Sequence, residues 1–199
     1  MSVPKTLLQM AGAPNEPGRF SESVVLIIDA QNEYVTGKLP LPGVENALRN
    51  IDFLLKAARL ANTPVVHVQH KGRAGGLFDP DTPAFDLAPQ AAAVSSEARV
   101  EKALPNSFAG TNLQDVLMKT GRKSLIVAGF MTHMCISSTV RAALDLGYRS
   151  TVIADASGTR DLPDPTGGNF IPATELHRAA LAGLADRFAI VAPLAALKA

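Results

Sequence analysis

The chain has no tryptophan, two tyrosines and a single cysteine, Cys135, among its 199 residues. One cysteine forbids an internal disulfide and suits a reducing compartment. No apolar stretch is long enough to span a membrane. The opening Met-Ser-Val-Pro-Lys-Thr-Leu-Leu-Gln-Met lacks the apolar core of a signal peptide. An excess of one charge is also missing. The formal net charge of +1 gives no electrostatic reason to expect nucleic acid or an anionic membrane as partner. Histidine is scarce, with four in the chain and none between residues 30 and 66. The expectation is a cytoplasmic protein that binds neither nucleic acid nor membrane.

What is present is an ordinary globular composition, 47% apolar and 19% charged, in a chain long enough for one domain with a substantial core. Residues 1–21 carry Gly, Pro and Asn and read as an irregular N-terminal arm, with a single domain over 22–199. Val24–Ile28 is a continuous β-branched and aliphatic run, the mark of a strand buried on both faces. Further strands are predicted at 64–70, 124–128, 151–154 and 188–191, and helices at 44–61, 112–120, from Cys135 to Gly147, and at 174–186. This alternation specifies an α/β fold: a doubly wound, mostly parallel six-stranded sheet with helices on both faces, a Rossmann-type three-layer sandwich. Ligands bind such sheets beyond the carboxyl ends of the strands, where the winding reverses. Residues 71–99 and 156–173 are rich in Gly and Pro and follow strand ends, so each can wall the crevice or serve as an oligomer-contact loop.

Two polar residues fall just past strand ends. Asp29 closes the first apolar run, and Cys135 follows the strand at 124–128 within Gly129-Phe-Met-Thr132-His-Met-Cys135. Thr132 reads as the cap of the next helix. A thiol in that helix's first turn would face unpaired N–H groups and the positive end of the dipole, both of which favour thiolate. Each residue also has a plainer reading. A free cysteine is commonly a small buried hydrophobe, Asp29 could cap a turn, and Lys102 alone would be a surface charge.

Taken together, Val25-Leu-Ile-Ile-Asp29-Ala-Gln31, Lys102 with Ser107-Phe108, and Gly129 to Cys135 with Thr139, Arg141 and Gly147-Tyr148 resemble the isochorismatase-like cysteine hydrolases. That superfamily includes nicotinamidases, N-carbamoylsarcosine amidohydrolase and isochorismatases. The resemblance runs in order from about residue 22 to 191. It implies a catalytic triad of Asp29, Lys102 and Cys135, with Asp29 as general base, Lys102 as the cation beside both anions, and Cys135 as the nucleophile. It further implies an oxyanion hole from the backbone N–H groups of Met131 and Cys135, a cis peptide at Phe130–Met131, and assembly as a homo-oligomer. Nicotinamidases of the superfamily carry an Asp-x-His metal site, and the histidines here lack that spacing, so neither a metal nor another cofactor is expected.

The substrate is expected to be a small molecule, an amide, ureido compound or relative cleaved at a C–N bond through a thioester. Two rivals are a vinyl ether hydrolase with Asp29 as acid, and a non-catalytic relative. Gln31, Tyr34, His70, Phe108, Phe130 and His133 are candidate substrate-binding residues, and Phe78, Phe85 and Met131 could also line the pocket. His133 lies two residues before Cys135, hence on a different face of a helical turn, and shapes the pocket rather than acting as base. His67 and His177 read as structural. Arg160, after a strand end, is a candidate for a substrate carboxylate, and Arg141 reads as structural.

Overall fold

The computed structural model describes residues 3–198. Its helices and strands, in chain order, are α1 (Leu7–Met10), β1 (Ser23–Ile28), α2 (Val44–Leu60), β2 (Val65–His70), β3 (Ala98–Lys102), α3 (Leu113–Lys119), β4 (Ser124–Phe130), α4 (Ser137–Asp145), β5 (Arg149–Gly158), β6 (Leu162–Pro163), β7 (Phe170–Ile171), α5 (Ala173–Arg187) and β8 (Ala189–Ala192). Six strands form one parallel sheet in the order β3-β2-β1-β4-β5-β8. The short β6 and β7 make a separate antiparallel pair. The sheet is the doubly wound one that the strand and helix pattern predicts.

Alternation within the central strands explains why the sheet is covered on both sides. Val25 and Ile27 of β1, with Ile126, Ala128 and Phe130 of β4, pack under α2 through Leu48, Ile51, Leu54 and Leu55. Their neighbours Val24, Leu26, Leu125 and Val127 point the other way, against Leu113 and Leu117 of α3, Val140 of α4 and Leu184 of α5. No residue of β1 or β4 is exposed. Full burial of each Val, Leu or Ile contributes roughly 1.5–3 kcal/mol, so these two strands anchor whatever is attached to their ends.

Three local expectations need correction. The N-terminal arm is not wholly irregular. Thr6 and Gln9 form a capping box for α1, and the Leu7 N–H donates to Asp186 Oδ1 at 2.9 Å, docking the arm on α5. The stretch read as a loop to residue 99 ends instead in β3. That strand pairs only with β2 and alternates Val100 and Lys102 inward with exposed Arg99 and Glu101, so it offers no apolar run to read. Thr132 does not cap a helix. It begins a wider π-turn over Thr132–Ile136, and Met131 occupies the cap position.

Candidate active site

β1 and β4 are neighbours at the point where the strand order reverses, and their carboxyl ends deliver Asp29 and Cys135 to one crevice. Asp29 leaves β1 at φ +51°, a left-handed conformation that costs a non-glycine residue about 1–2 kcal/mol. At the matching end of β4, Gly129 takes φ +118° and lies against the Ile28 carbonyl. The Phe130–Met131 peptide is cis. The chain then turns through the π-turn, in which the Met131 carbonyl accepts the N–H of Met134 at 3.0 Å and of Ile136 at 3.2 Å. Single π-turns recur at functional sites because they re-aim one side chain within a helix.

Lys102 comes from the end of β3 and is the hub of the crevice. Its Nζ is 2.8 Å from Asp29 Oδ2, and both side chains are wholly buried. It donates to His70 Nδ1 at 3.1 Å, to the Leu104 carbonyl at 3.1 Å and to Cys135 Sγ at 3.3 Å. The Asp29 contact is the shortest of the four and pairs the two charges directly. Asp29 is thus charge-compensated in full burial.

Burial raises the Asp29 carboxyl above the usual range, with the Lys102 charge and nearby hydrogen bonds pulling it back. The Cys135 thiol, 5% exposed, is pushed up to about 12, first by burial and then by the Asp29 charge, against the opposing effect of Lys102. The thiolate that the helix-terminus argument favours is thus not the resting form. Desolvation outweighs the dipole, and a buried carboxylate stands beside the neutral thiol.

The other residues singled out in the sequence divide by place. Tyr34 is buried between Phe78 and Phe130 in edge-on contacts of 5.1 and 5.7 Å. Burial and the Asp29 charge keep its phenol un-ionised. His70 reaches the crevice through Lys102 and packs on Phe78 at 5.0 Å. Gln31 is buried and clamps the chain, accepting from the His70 N–H and donating to the carbonyls of His70 and Phe85. His133 Nδ1 pairs with Thr159 Oγ1 at 2.5 Å, while its Nε2 is buried without a partner. Phe108 stacks on Tyr148 at 6.1 Å. The charge of Arg160 bears on both His133 and Tyr34, and its Nε is buried and unpartnered. Arg141 stacks over Phe188 at 4.0 Å. His67 pairs with Glu97, and His177 with Thr132 Oγ1 at 2.8 Å.

Two contributors carry no recognisable sequence signal. The Leu104 carbonyl is backbone, invisible in any residue pattern. Glu33 is buried with both carboxylate oxygens on backbone N–H groups, of Lys38 at 2.6 Å and of Phe78 at 2.8 Å. It ties the loop after β2 over Tyr34. A cavity of about 740 Å³ opens beside the hub, walled by His70, Arg73, Lys102 and Leu104.

Asp29, His70 and Cys135 bring candidate ligand atoms within 4.8 Å of one another, as a metal site would. Lys102 Nζ lies within 3.3 Å of an atom of each. The ammonium already occupies the position a metal ion would take.

Comparison with known proteins gives a consistent picture. The family described as the isochorismatase domain matches residues 23–196. A crystal structure of an isochorismatase from Pseudomonas putida KT2440 superposes with a TM-score of 0.94 at 44% identity, over 98% of this chain and 100% of that one. A secreted isochorismatase effector of Verticillium dahliae is 40% identical over 90% of this chain and 92% of its own length. A streptothricin hydrolase of Streptomyces noursei is 35% identical over 93% of this chain and 74% of its own.

Proposed function

The chain belongs to the isochorismatase family of hydrolases, and on that footing we propose that it is a cysteine hydrolase cleaving a C–N bond of a small amide, ureido or related compound. The observation that carries the reading is the buried Asp29–Lys102–Cys135 contact set, with Lys102 Nζ 2.8 Å from Asp29 Oδ2 and 3.3 Å from Cys135 Sγ. A neutral thiol beside a buried carboxylate is the ground state of a base-assisted nucleophile.

In the first half-reaction, Asp29 takes the thiol proton as sulfur attacks the substrate carbonyl carbon. The carbonyl π electrons move to oxygen, held by the N–H groups of Met131 and Cys135. Those two residues flank a turn whose Met134 and Ile136 amides are engaged on the Met131 carbonyl. Collapse reforms C=O and breaks the C–N bond, and the departing nitrogen takes the proton from Asp29. In the second half, Asp29 takes a proton from water as its oxygen attacks the thioester. The C–S bond then breaks, and sulfur recovers the proton. Lys102 opposes the negative charge on both partners throughout.

Tyr34, Phe78 and Phe130 would present an apolar wall, and Arg160 with the unpartnered His133 Nε2 would favour a substrate bearing an anionic group. Residues 22–199 would act as a single hydrolase domain and 1–21 as its arm. Homo-oligomeric assembly and residence in the cytoplasm belong to the same proposal, and the lone free thiol supports the latter. Among the described residues no helix is long and apolar enough to cross a membrane.

The raised Asp29 carboxyl supports a second reading, protonation of a vinyl ether with Cys135 as bystander. The deciding experiment is a screen of small amides, ureido compounds and vinyl ethers on wild type, Cys135→Ala and Asp29→Asn. Ammonia or amine release lost in both variants supports thioester chemistry. Turnover that survives Cys135→Ala and vanishes in Asp29→Asn moves the assignment to ether hydrolysis.

A further inference from the structure

We propose that the cavity beneath the N-terminal arm is a second binding site, at the end of the sheet opposite the crevice, and that it takes a small hydroxylated aromatic acid. The site stands whether or not Cys135 is a nucleophile.

The cavity holds about 280 Å³ where β5 and β8 begin, at Arg149 and Ala189. At protein packing density that volume takes on the order of ten non-hydrogen atoms, one substituted ring. Its roof is the arm. The Leu7 N–H donates to Asp186 Oδ1 and the Gly18 N–H to Thr151 Oγ1, each at 2.9 Å, tying the arm down at two points. Between them the Ala13 N–H donates to the Leu8 carbonyl at 3.0 Å, folding the chain back on itself so that Leu8 and Pro14 both wall the cavity. Helix α1 buries no residue, so these polar ties, rather than apolar packing, hold the roof.

Tyr148, Ser150 and Val152 are spaced two apart and share the face of β5 that α4 and α5 cover. Tyr148 and Ser150 line the cavity, only 2% and 1% exposed, and the hydroxyl oxygens of both are buried without a hydrogen-bond partner among the described residues. The Tyr148 ring is held in place, with Phe108 stacked on it at 6.1 Å and Lys123 Nζ 4.8 Å from its centroid. Burial raises its phenol, so the hydroxyl keeps its proton and can donate it. Native proteins leave few buried hydroxyls unpaired, and two on one cavity wall call for an oxygen between them. Leu144 and Phe188 supply apolar sides suited to a ring. Arg149 and Arg187 line the same cavity, are exposed, and enter no ion pair among the described residues. Two unpaired guanidinium groups beside an apolar hollow suit a carboxylate, which they can bind in forked fashion. The ligand therefore carries a hydroxyl for Tyr148 and Ser150, a ring for the apolar sides, and a carboxylate for the arginines.

The test is calorimetric titration of the full chain with 4-hydroxybenzoate, followed by amide hydrogen exchange with and without it. Saturable binding with Kd below about 1 mM is expected, with slower exchange at the Leu7, Ala13 and Gly18 amides. Leu144→Trp, which fills the cavity, should abolish binding, and Tyr148→Phe combined with Ser150→Ala should weaken it about tenfold. The uncharged 4-hydroxybenzamide should bind several-fold more weakly than the acid. Arg160→Ala, which alters only the crevice, should leave binding unchanged. Thermal unfolding checks each variant, and if Leu144→Trp does not fold, Leu8→Trp on the arm takes its place. No saturable binding up to about 10 mM would overturn the site. Binding lost in Arg160→Ala but kept in the cavity-filling variant would overturn it too, by placing the acid in the crevice. Equal affinity for acid and amide would overturn the assigned ligand class.

Discussion

Gly129 passes so close to Ile28 that a β-carbon at position 129 would collide with the Ile28 carbonyl oxygen. This contact ties the end of the strand bearing Asp29 to the start of the turn bearing Cys135. Gly129→Ala combines that clash with a side chain at φ +118°. We expect a loss of at least about 2 kcal/mol in urea unfolding, together with loss of base-assisted Cys135 alkylation. A variant that keeps wild-type stability would show that the two strand ends can part without cost.

Lys102 and Asp29 form a buried ion pair with no exposed side-chain surface. Removing only the cation, as in Lys102→Met, strands a buried carboxylate and should cost about 3–5 kcal/mol. Adding Asp29→Asn removes the orphaned charge, so the double variant should recover to within about 1 kcal/mol of wild type, or exceed it. It should remain inert toward any substrate. Chemical unfolding of the two singles and the double measures the coupling.

The Asp29 charge helps push the Cys135 thiol up to about 12. Asp29→Asn should therefore lower the thiol pKa while abolishing turnover. Thiolate absorbance followed across pH 7–11 checks this, with Cys135→Ala as blank. A thiol that becomes harder to ionise in Asp29→Asn would contradict the charge arrangement.

Glu97 gathers Arg59 at 2.8 Å, His67 at 2.9 Å and the Val94 N–H at 2.9 Å. Burial raises its carboxyl, but these bonds outweigh that and bring it down to about 2. A depressed carboxyl adds stability above its unfolded pKa near 4.5, and that contribution fades as pH falls through the folded value. His67 acts in the same direction. Burial lowers its pKa from 6.5, so below that value protonation favours the unfolded chain. Stability should fall on acidification first through His67 and then through Glu97. Glu97→Gln should flatten the lower part by on the order of 2 kcal/mol, read from urea midpoints between pH 2 and 6.

The ends of β1 and β4 were legible in the sequence because burial on both faces leaves unbroken apolar runs, and whatever polar residue terminates such a run stands out. Asp29 stands out that way, and Cys135 as the lone cysteine in the turn after such a run. β3 was not, since an edge strand with alternating charges has the composition of a loop. Lys102 was recognised from its resemblance to a family pattern, and nothing local marked it as buried. The resting thiol departs from the sequence expectation for a related reason. A helix terminus can be read from the spacing of residues, whereas desolvation depends on how tightly the surrounding strands and loops close. The role of Gln31, inferred as lining a pocket, is in the structure a clamp on the His70 backbone, a distinction fixed by which atoms face one another across 39 positions of chain.

Lys102 ends one of the sheet's two edge strands, held by a neighbour on a single side. Edge strands open locally at lower free energy than the strands they border. Warming should therefore disarm the crevice well before the sheet melts. In amide hydrogen exchange, β3 would lose protection ahead of β1 and β4, and inactivation would trace that early opening rather than global unfolding. The working temperature of the protein would then be set by its least anchored strand.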